Sequence, residues 1–123
     1  MKSLTQMVAE VEEFEKDKGW YDQDVRFLER IALIHSEVSE ALEAYRNWGT
    51  ADMTGRVHLD LAVPHPESGT NVHKPEGVGS EFADILIRLL GDCRRCNIDL
   101  EAEYERKMAY NRMRPYRHGG KRA

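Results

Sequence analysis

The chain has 123 residues, 41% of them hydrophobic, and a formal net charge of −4. That length favours one domain, spanning residues 1–123, with enough chain to bury a core without disulfides, and no apolar run is long enough to cross a membrane. The start, Met1-Lys2-Ser3-Leu4, leads into a charged amphipathic pattern without the apolar core of a signal peptide, and two cysteines three apart suit a reducing cytoplasm, so a cytoplasmic location is expected.

The net charge hides a division. The last acid is Glu105, and residues 1–105 carry 11 basic and 22 acidic groups. Beyond it come Arg106, Lys107, Arg112, Arg114, Arg117, Lys121 and Arg122 with no acid among them. Either this basic tail offsets the acidic body or it meets a polyanion such as a phosphate chain.

Ser3 is placed to cap a first helix, along which Leu4, Met7, Val8, Val11 and Phe14 recur at helical spacing until Gly19. Glu10, Glu12, Glu13 and Glu15 then form its solvated face. Trp20-Tyr21 either anchors the following link or offers a surface for a base. Asp22 or Asp24 is expected to cap a second helix with a long apolar stripe: Phe27, Leu28, Ile31, Ile34, Val38, Ala41, Leu42 and Tyr45. Glu37 and Glu40 lie along it, Glu43 continues the acidic side, and His35 reads as a polar partner of a neighbouring carboxylate.

Asn47-Trp48-Gly49-Thr50 stops that helix, and Pro64, Pro66, Gly69 and Pro75 punctuate the segment after it. The 47–79 segment is a long irregular connection, in which alternation over Val57-His58-Leu59-Asp60-Leu61 allows a short strand or hairpin. His58, His65 and His73 match no zinc spacing and read as exposed loop residues. A third helix starts between Pro75 and Ser80 and buries Phe82, Ile85, Leu86, Leu89 and Leu90. Arg88, one turn after Asp84, screens the acids or meets a phosphate. Cys93 and Cys96 lack a second ligand pair for zinc and stand late in the helix, so they read as structural thiols. Asp99 caps a fourth helix with a Leu100, Tyr104, Met108 stripe, and Pro115 stops it. The expected fold class is therefore all-α: a bundle of about four helices with the long connection between the second and third.

One repeat stands out. Ser36-Glu37-Val38-Ser39-Glu40-Ala41-Leu42 and Ser80-Glu81-Phe82-Ala83-Asp84-Ile85-Leu86 share the order serine, acid, apolar, small, acid, apolar, apolar. Each sets two acids at i and i+3 on one helix face. Packed together, the two runs bring four carboxylates into one patch, which invites a hard divalent cation such as Mg²⁺ or Mn²⁺.

Glu37-x-x-Glu40 followed by Glu81-x-x-Asp84 resembles the all-α nucleoside triphosphate pyrophosphohydrolases of the MazG-like superfamily. Two longer stretches resemble a bacterial and phage branch of it. One is Lys74-Pro75-Glu76-Gly77-Val78-Gly79-Ser80-Glu81-Phe82-Ala83-Asp84-Ile85-Leu86-Ile87-Arg88, and the other runs from Lys107-Met108-Ala109-Tyr110-Asn111 to Lys121. The resemblance implies a helical bundle, Mg²⁺ held by Glu37, Glu40, Glu81 and Asp84, and homodimers or homotetramers. It implies conversion of a nucleoside triphosphate to monophosphate and pyrophosphate. By position Lys107 and Asn111 match nucleotide contacts, and Arg114, Arg117 and Lys121 follow on a segment able to close over a triphosphate.

Two other readings compete. A di-iron carboxylate bundle needs Glu-x-x-His pairs, and His35 stands at the wrong offset for one. A non-enzymatic binding or assembly module would carry the acids as a solvated face. A stable nucleic-acid complex is not expected, because the acidic body repels a duplex.

Overall fold

A computed structural model describes residues 1–20, 25–50 and 53–115. The order of elements is α1 (Leu4–Asp17), α2 (Phe27–Trp48), β1 (Val57–Pro64), β2 (Asn71–Pro75), α3 (Val78–Arg95) and α4 (Leu100–Met113). The fold is mostly helical but not purely all-α, since β1 and β2 pair as a two-stranded antiparallel sheet. The chain forms two compact units: Met1–Tyr21 with Leu90–Ala123, and Asp22–Leu89.

In the first unit, Ser3 caps α1 by accepting from the Gln6 amide, and the Gln6 side chain accepts from the Ser3 amide in return. Lys18 closes α1, and Gly19 follows at φ 74°, a conformation natural to glycine. Trp20 packs edge-on against Phe14 with ring centroids 5.0 Å apart, the anchoring role; Tyr21 lies outside the described residues. The acidic face of α1 is not all solvated. Glu15 is buried, 3.6 Å from Arg95, and Glu12 bonds both Lys16 and Arg94. A side chain at Gly91 would run into the Glu15 carboxylate, so the glycine gives that carboxylate its room. Val11, Leu90 and Cys93 form the buried apolar centre here. At α4, Asp99 accepts from the Ala102 amide, and the Thr5 amide donates to Glu101. Leu100 and Met108 are half-buried while Tyr104 is exposed, so this helix buries no residue fully.

In the second unit, Asp22 and Asp24 lie outside the described residues, and Arg26 stands at the α2 N-cap with no side-chain cap bond. The buried face of α2 is Glu37, Ala41 and Ala44 at i, i+4 and i+7. Most of the stripe expected to be buried faces outward instead: Phe27, Leu28, Ile31, Val38, Leu42 and Tyr45 are exposed. On α3 the same is true of Phe82, Leu86 and Leu89, while Ile85 is half-buried. The reason is geometric. The small alanines and Glu37 lie on the buried side of α2, and no element among the described residues of this unit covers the opposite side.

The 47–79 connection is ordered around the hairpin. Val63 faces Val72 and Ala62 faces His73 in the ladder, and 59–61 bulge from β1 between the His58–Lys74 and Ala62–His73 pairs. Of the histidines expected to be exposed loop residues, His65 is exposed in the hairpin turn, whereas the other two are not. His58 and His73 are half-buried in the strands, and His58 Nδ1 accepts from the Asp60 amide. His65 Nδ1 accepts from the Glu67 and Ser68 amides within the hairpin turn. At the hairpin base, Arg56 stacks 4.2 Å from the Trp48 ring centre and its Nε donates to Glu76 Oε1 at 3.0 Å.

This base also fixes where α3 begins. The Gly79 amide, one of the donors a helix start leaves unpaired, donates to the Met53 carbonyl at 2.7 Å. A Cβ at Gly79 would stand 2.6 Å from that carbonyl oxygen, closer than any side-chain carbon tolerates. Gly79→Ala should therefore force the loop off α3 and cost about 1–3 kcal/mol, read as a lower denaturant midpoint. An unchanged midpoint would show that the loop does not hold the start of α3.

Candidate functional site

Helix geometry supplies the site. Glu37 and Glu40 lie one turn apart on α2, and Glu81 and Asp84 one turn apart on α3. Within the second unit the structure brings Glu37, Glu40 and Glu81 together, with one carboxylate oxygen from each lying within 4.8 Å of the others. Asp84 falls outside this group of three, yet its charge is felt by both Glu40 and Glu81. The expected convergence of two acid pairs is met by three of the four residues, with Asp84 at the margin.

The three differ in exposure. Glu37 is buried, Glu81 half-buried and Glu40 exposed. Arg88, two turns after Glu81 on α3, donates through Nε to Glu37 Oε1 at 2.7 Å. Of the two sequence expectations for Arg88, screening the acids is the one this contact displays. Burial pushes the Glu37 carboxyl up, but the Arg88 hydrogen bond, together with contacts to Glu40 and Glu81, holds it below its ordinary value. Its neighbours move the other way. Glu40 is raised by its hydrogen bond to Glu37 and by the charge of Glu37. Glu81 is pushed up to about 7 by burial and then by the charges of Glu40 and Asp84. Asp84 is raised by burial and by Glu37, against the opposing pull of Arg88 and Lys74.

These residues fit a hard cation. Glu37 Oε2 and Glu81 Oε2 are buried without a hydrogen-bond donor among the described residues. A buried carboxylate oxygen without a donor is costly, and a cation removes the cost while relieving the repulsion. The donors are all carboxylate oxygens, as Mg²⁺ or Mn²⁺ prefers. Among the described residues no histidine belongs to the cluster, whereas the di-iron pattern calls for nitrogen ligands.

Lys107 and Asn111 are exposed one turn apart on α4, and Arg114 is the C-cap of that helix, all in the first unit. Arg117 and Lys121 lie outside the described residues. Cys93 is buried in α3 and Cys96 is exposed just past it. Burial and the Asp92 charge push the Cys93 thiol up, away from a reactive thiolate. One contributor has no signal in the sequence: Lys74, on β2, whose charge reaches Asp84. Nothing in its local pattern points from a loop towards an acid on a helix.

No protein-family model matches the chain, and no curated protein or solved structure does either.

The pKa shifts set a pH dependence. In the unfolded chain Glu81 loses its proton near 4.5, whereas in the fold it does so near 7. Across that window the folded state holds the extra proton, so stability falls as pH rises. Glu40 and Asp84, also raised, act in the same direction. Below the window the sign reverses, because Glu37 and Glu12 are held low and their stabilisation is lost as they protonate. Metal-free protein should therefore melt highest near pH 5 and lower by about pH 8. Glu81→Gln should flatten that decline, and Mg²⁺ should raise the pH 8 melting temperature of the wild type. A melting temperature that climbs steadily from pH 5 to 8 without metal would contradict the crowding of these carboxylates.

Proposed function

We propose that the chain is a Mg²⁺-dependent nucleoside triphosphate pyrophosphohydrolase, converting a ribo- or deoxyribonucleoside triphosphate to the monophosphate and pyrophosphate. The observation that carries this is the meeting of Glu37, Glu40 and Glu81 around two buried, donor-free oxygens. The MazG-like pattern in the sequence supplies the reaction class. On this reading Glu37, Glu40, Glu81 and Asp84 hold the cation, for which Mn²⁺ can substitute. The bound ion would supply charge neutralisation on the phosphate oxygens and a more acidic water. Water attacks the α-phosphorus, and the bond to the α–β bridging oxygen breaks to release pyrophosphate. Arg88 keeps Glu37 ionised and fixed, and Glu40, the exposed member, is the carboxylate open to take the proton of the attacking water. No serine or cysteine nucleophile is required. Lys107, Asn111, Arg114, Arg117 and Lys121 are proposed nucleotide contacts on the strength of the sequence likeness alone.

The same reading makes the active form a homodimer or homotetramer with its helices in a bundle, in the cytoplasm, with no stable nucleic-acid complex. The support lies on α2 and α3, where Val38, Leu42 and Phe82 are 51%, 51% and 60% exposed. So much outward apolar surface on one unit calls for a cover, and a second copy supplies a self-complementary one. No helix among the described residues is long and apolar enough to cross a membrane.

Incubated with each common nucleoside triphosphate and Mg²⁺, the protein should release pyrophosphate and a monophosphate from at least one, and Glu81→Gln should lower that rate about 100-fold or more. Orthophosphate with a diphosphate as products would exclude α–β cleavage. Light scattering should give two or four times the 14.2 kDa chain mass, and Leu42→Arg should shift it towards one. A wild-type mass of one chain would remove the oligomer from the proposal.

A further inference from the structure

A cluster of carboxylates repels a phosphate chain, so a site that accepts one needs positive charge beside the acids. Two basic side chains of the second unit act on these acids, and they arrive by different routes: Arg88 bonds Glu37, and the charge of Lys74 reaches Asp84 at the margin. Arg88 comes from α3 itself. Its Nε is committed to Glu37, and of its five N–H donors the four on Nη1 and Nη2 make no hydrogen bond among the described residues. The side chain remains 41% exposed while its anchor Glu37 is 10% exposed. The guanidinium is thus tethered at one edge and open at the other. Lys74 comes from the hairpin. It pairs with His58 in the ladder, and two backbone bonds lock the next residues, Glu76 N to Arg56 O at 3.0 Å and Gly79 N to Met53 O at 2.7 Å. Its ammonium forms no ion pair among the described residues, although Asp84 lies close enough to feel its charge.

We propose that Arg88 and Lys74 form an anion subsite beside the carboxylates, taking the non-bridging oxygens of a polyphosphate chain. This rests on the carboxylates being a metal site. It gives the hairpin a function, because the ladder and the bonds at its base set where Lys74 stands at the start of α3. Arg88 then serves two partners at once: Nε holds Glu37, and the Nη groups offer the paired donors that suit a phosphate.

The test separates this from a role for Arg88 in positioning Glu37 alone. Arg88→Gln, Arg88→Lys and Lys74→Gln are compared with wild type in two titrations. One is Mn²⁺ followed by electron paramagnetic resonance. The other is inorganic tripolyphosphate, which has no base or sugar, followed by calorimetry in excess Mg²⁺. The subsite requires Arg88→Gln to bind tripolyphosphate about 10- to 100-fold more weakly. Its Mn²⁺ affinity should fall by clearly less than its tripolyphosphate affinity, since losing the hold on Glu37 is offset by losing a positive charge beside the cation. Lys74→Gln should weaken tripolyphosphate about threefold or more, with Mn²⁺ unaffected, and Arg88→Lys should fall between wild type and Arg88→Gln. If Arg88→Gln does not fold, as judged by its melting curve, the other two variants decide the matter. Wild-type tripolyphosphate affinity in the variants, with Mn²⁺ bound, overturns the subsite and leaves the metal site standing. A loss of Mn²⁺ affinity in Arg88→Gln equal to the loss for tripolyphosphate reduces Arg88 to a positioning residue and overturns its place in the subsite. Failure of the wild type to bind Mn²⁺ overturns the metal reading, and the subsite with it.

Discussion

The second unit depends on a repulsion held in check. Three carboxylates with oxygens within 4.8 Å of one another cannot all ionise freely without a cation. The fold handles this unequally. Glu37, the most buried, receives the Arg88 hydrogen bond and stays ionised. Glu81, also shielded from water but without such a donor, is driven up to about 7. The asymmetry is a consequence of where one guanidinium points. It leaves two buried oxygens without donors among the described residues, which is an unfavourable arrangement for a purely structural patch and a favourable one for a cation site.

Holding α2 and α3 close enough for this has a cost in surface. The buried face of α2 is made of Glu37, Ala41 and Ala44, small residues around one carboxylate. The large apolar residues lie on the outside, where none of the described residues of this unit covers them. A helix that buries one carboxylate between alanines and exposes its large apolar residues reverses the usual order for a lone chain. The reversal is intelligible if the buried side serves a ligand and the exposed side a second copy. The acid site and the proposed oligomer are two outcomes of one rotation of α2 about its axis.

The connection between α2 and α3 acts as a brace. An isolated two-stranded hairpin has little stability of its own, and this one is secured at its base by Arg56 between Trp48 and Glu76 and by the bond from Gly79 to Met53. The brace sets the first turn of α3, and Glu81 and Asp84 follow within that turn and the next. His58 and His65 accept from nearby backbone amides through Nδ1, and His73 Nδ1 meets the His58 carbonyl, so all three have local partners in the hairpin.

Local sequence was enough to specify the four helices, the Ser3 and Asp99 caps, the stop at Gly19 and the pairing of acids on α2 and α3. All of these depend on interactions within a few residues: cap bonds, the 3.6-residue period, and the i, i+3 spacing of Glu37 with Glu40 and Glu81 with Asp84. Packing settled the rest. A periodic pattern shows that a helix has two faces, but which one is buried depends on what packs against it, so the exposed stripe of α2 and the buried Glu15 were not legible. The weak alternation at 57–61 becomes a strand only when 71–75 pairs with it, a contact across a turn that local propensity does not encode. Arg88 was visible beside Asp84 along its own helix. Its bond to Glu37, and the approach of Lys74, join residues far apart in sequence, and only the packing of α2, the hairpin and α3 brings them together.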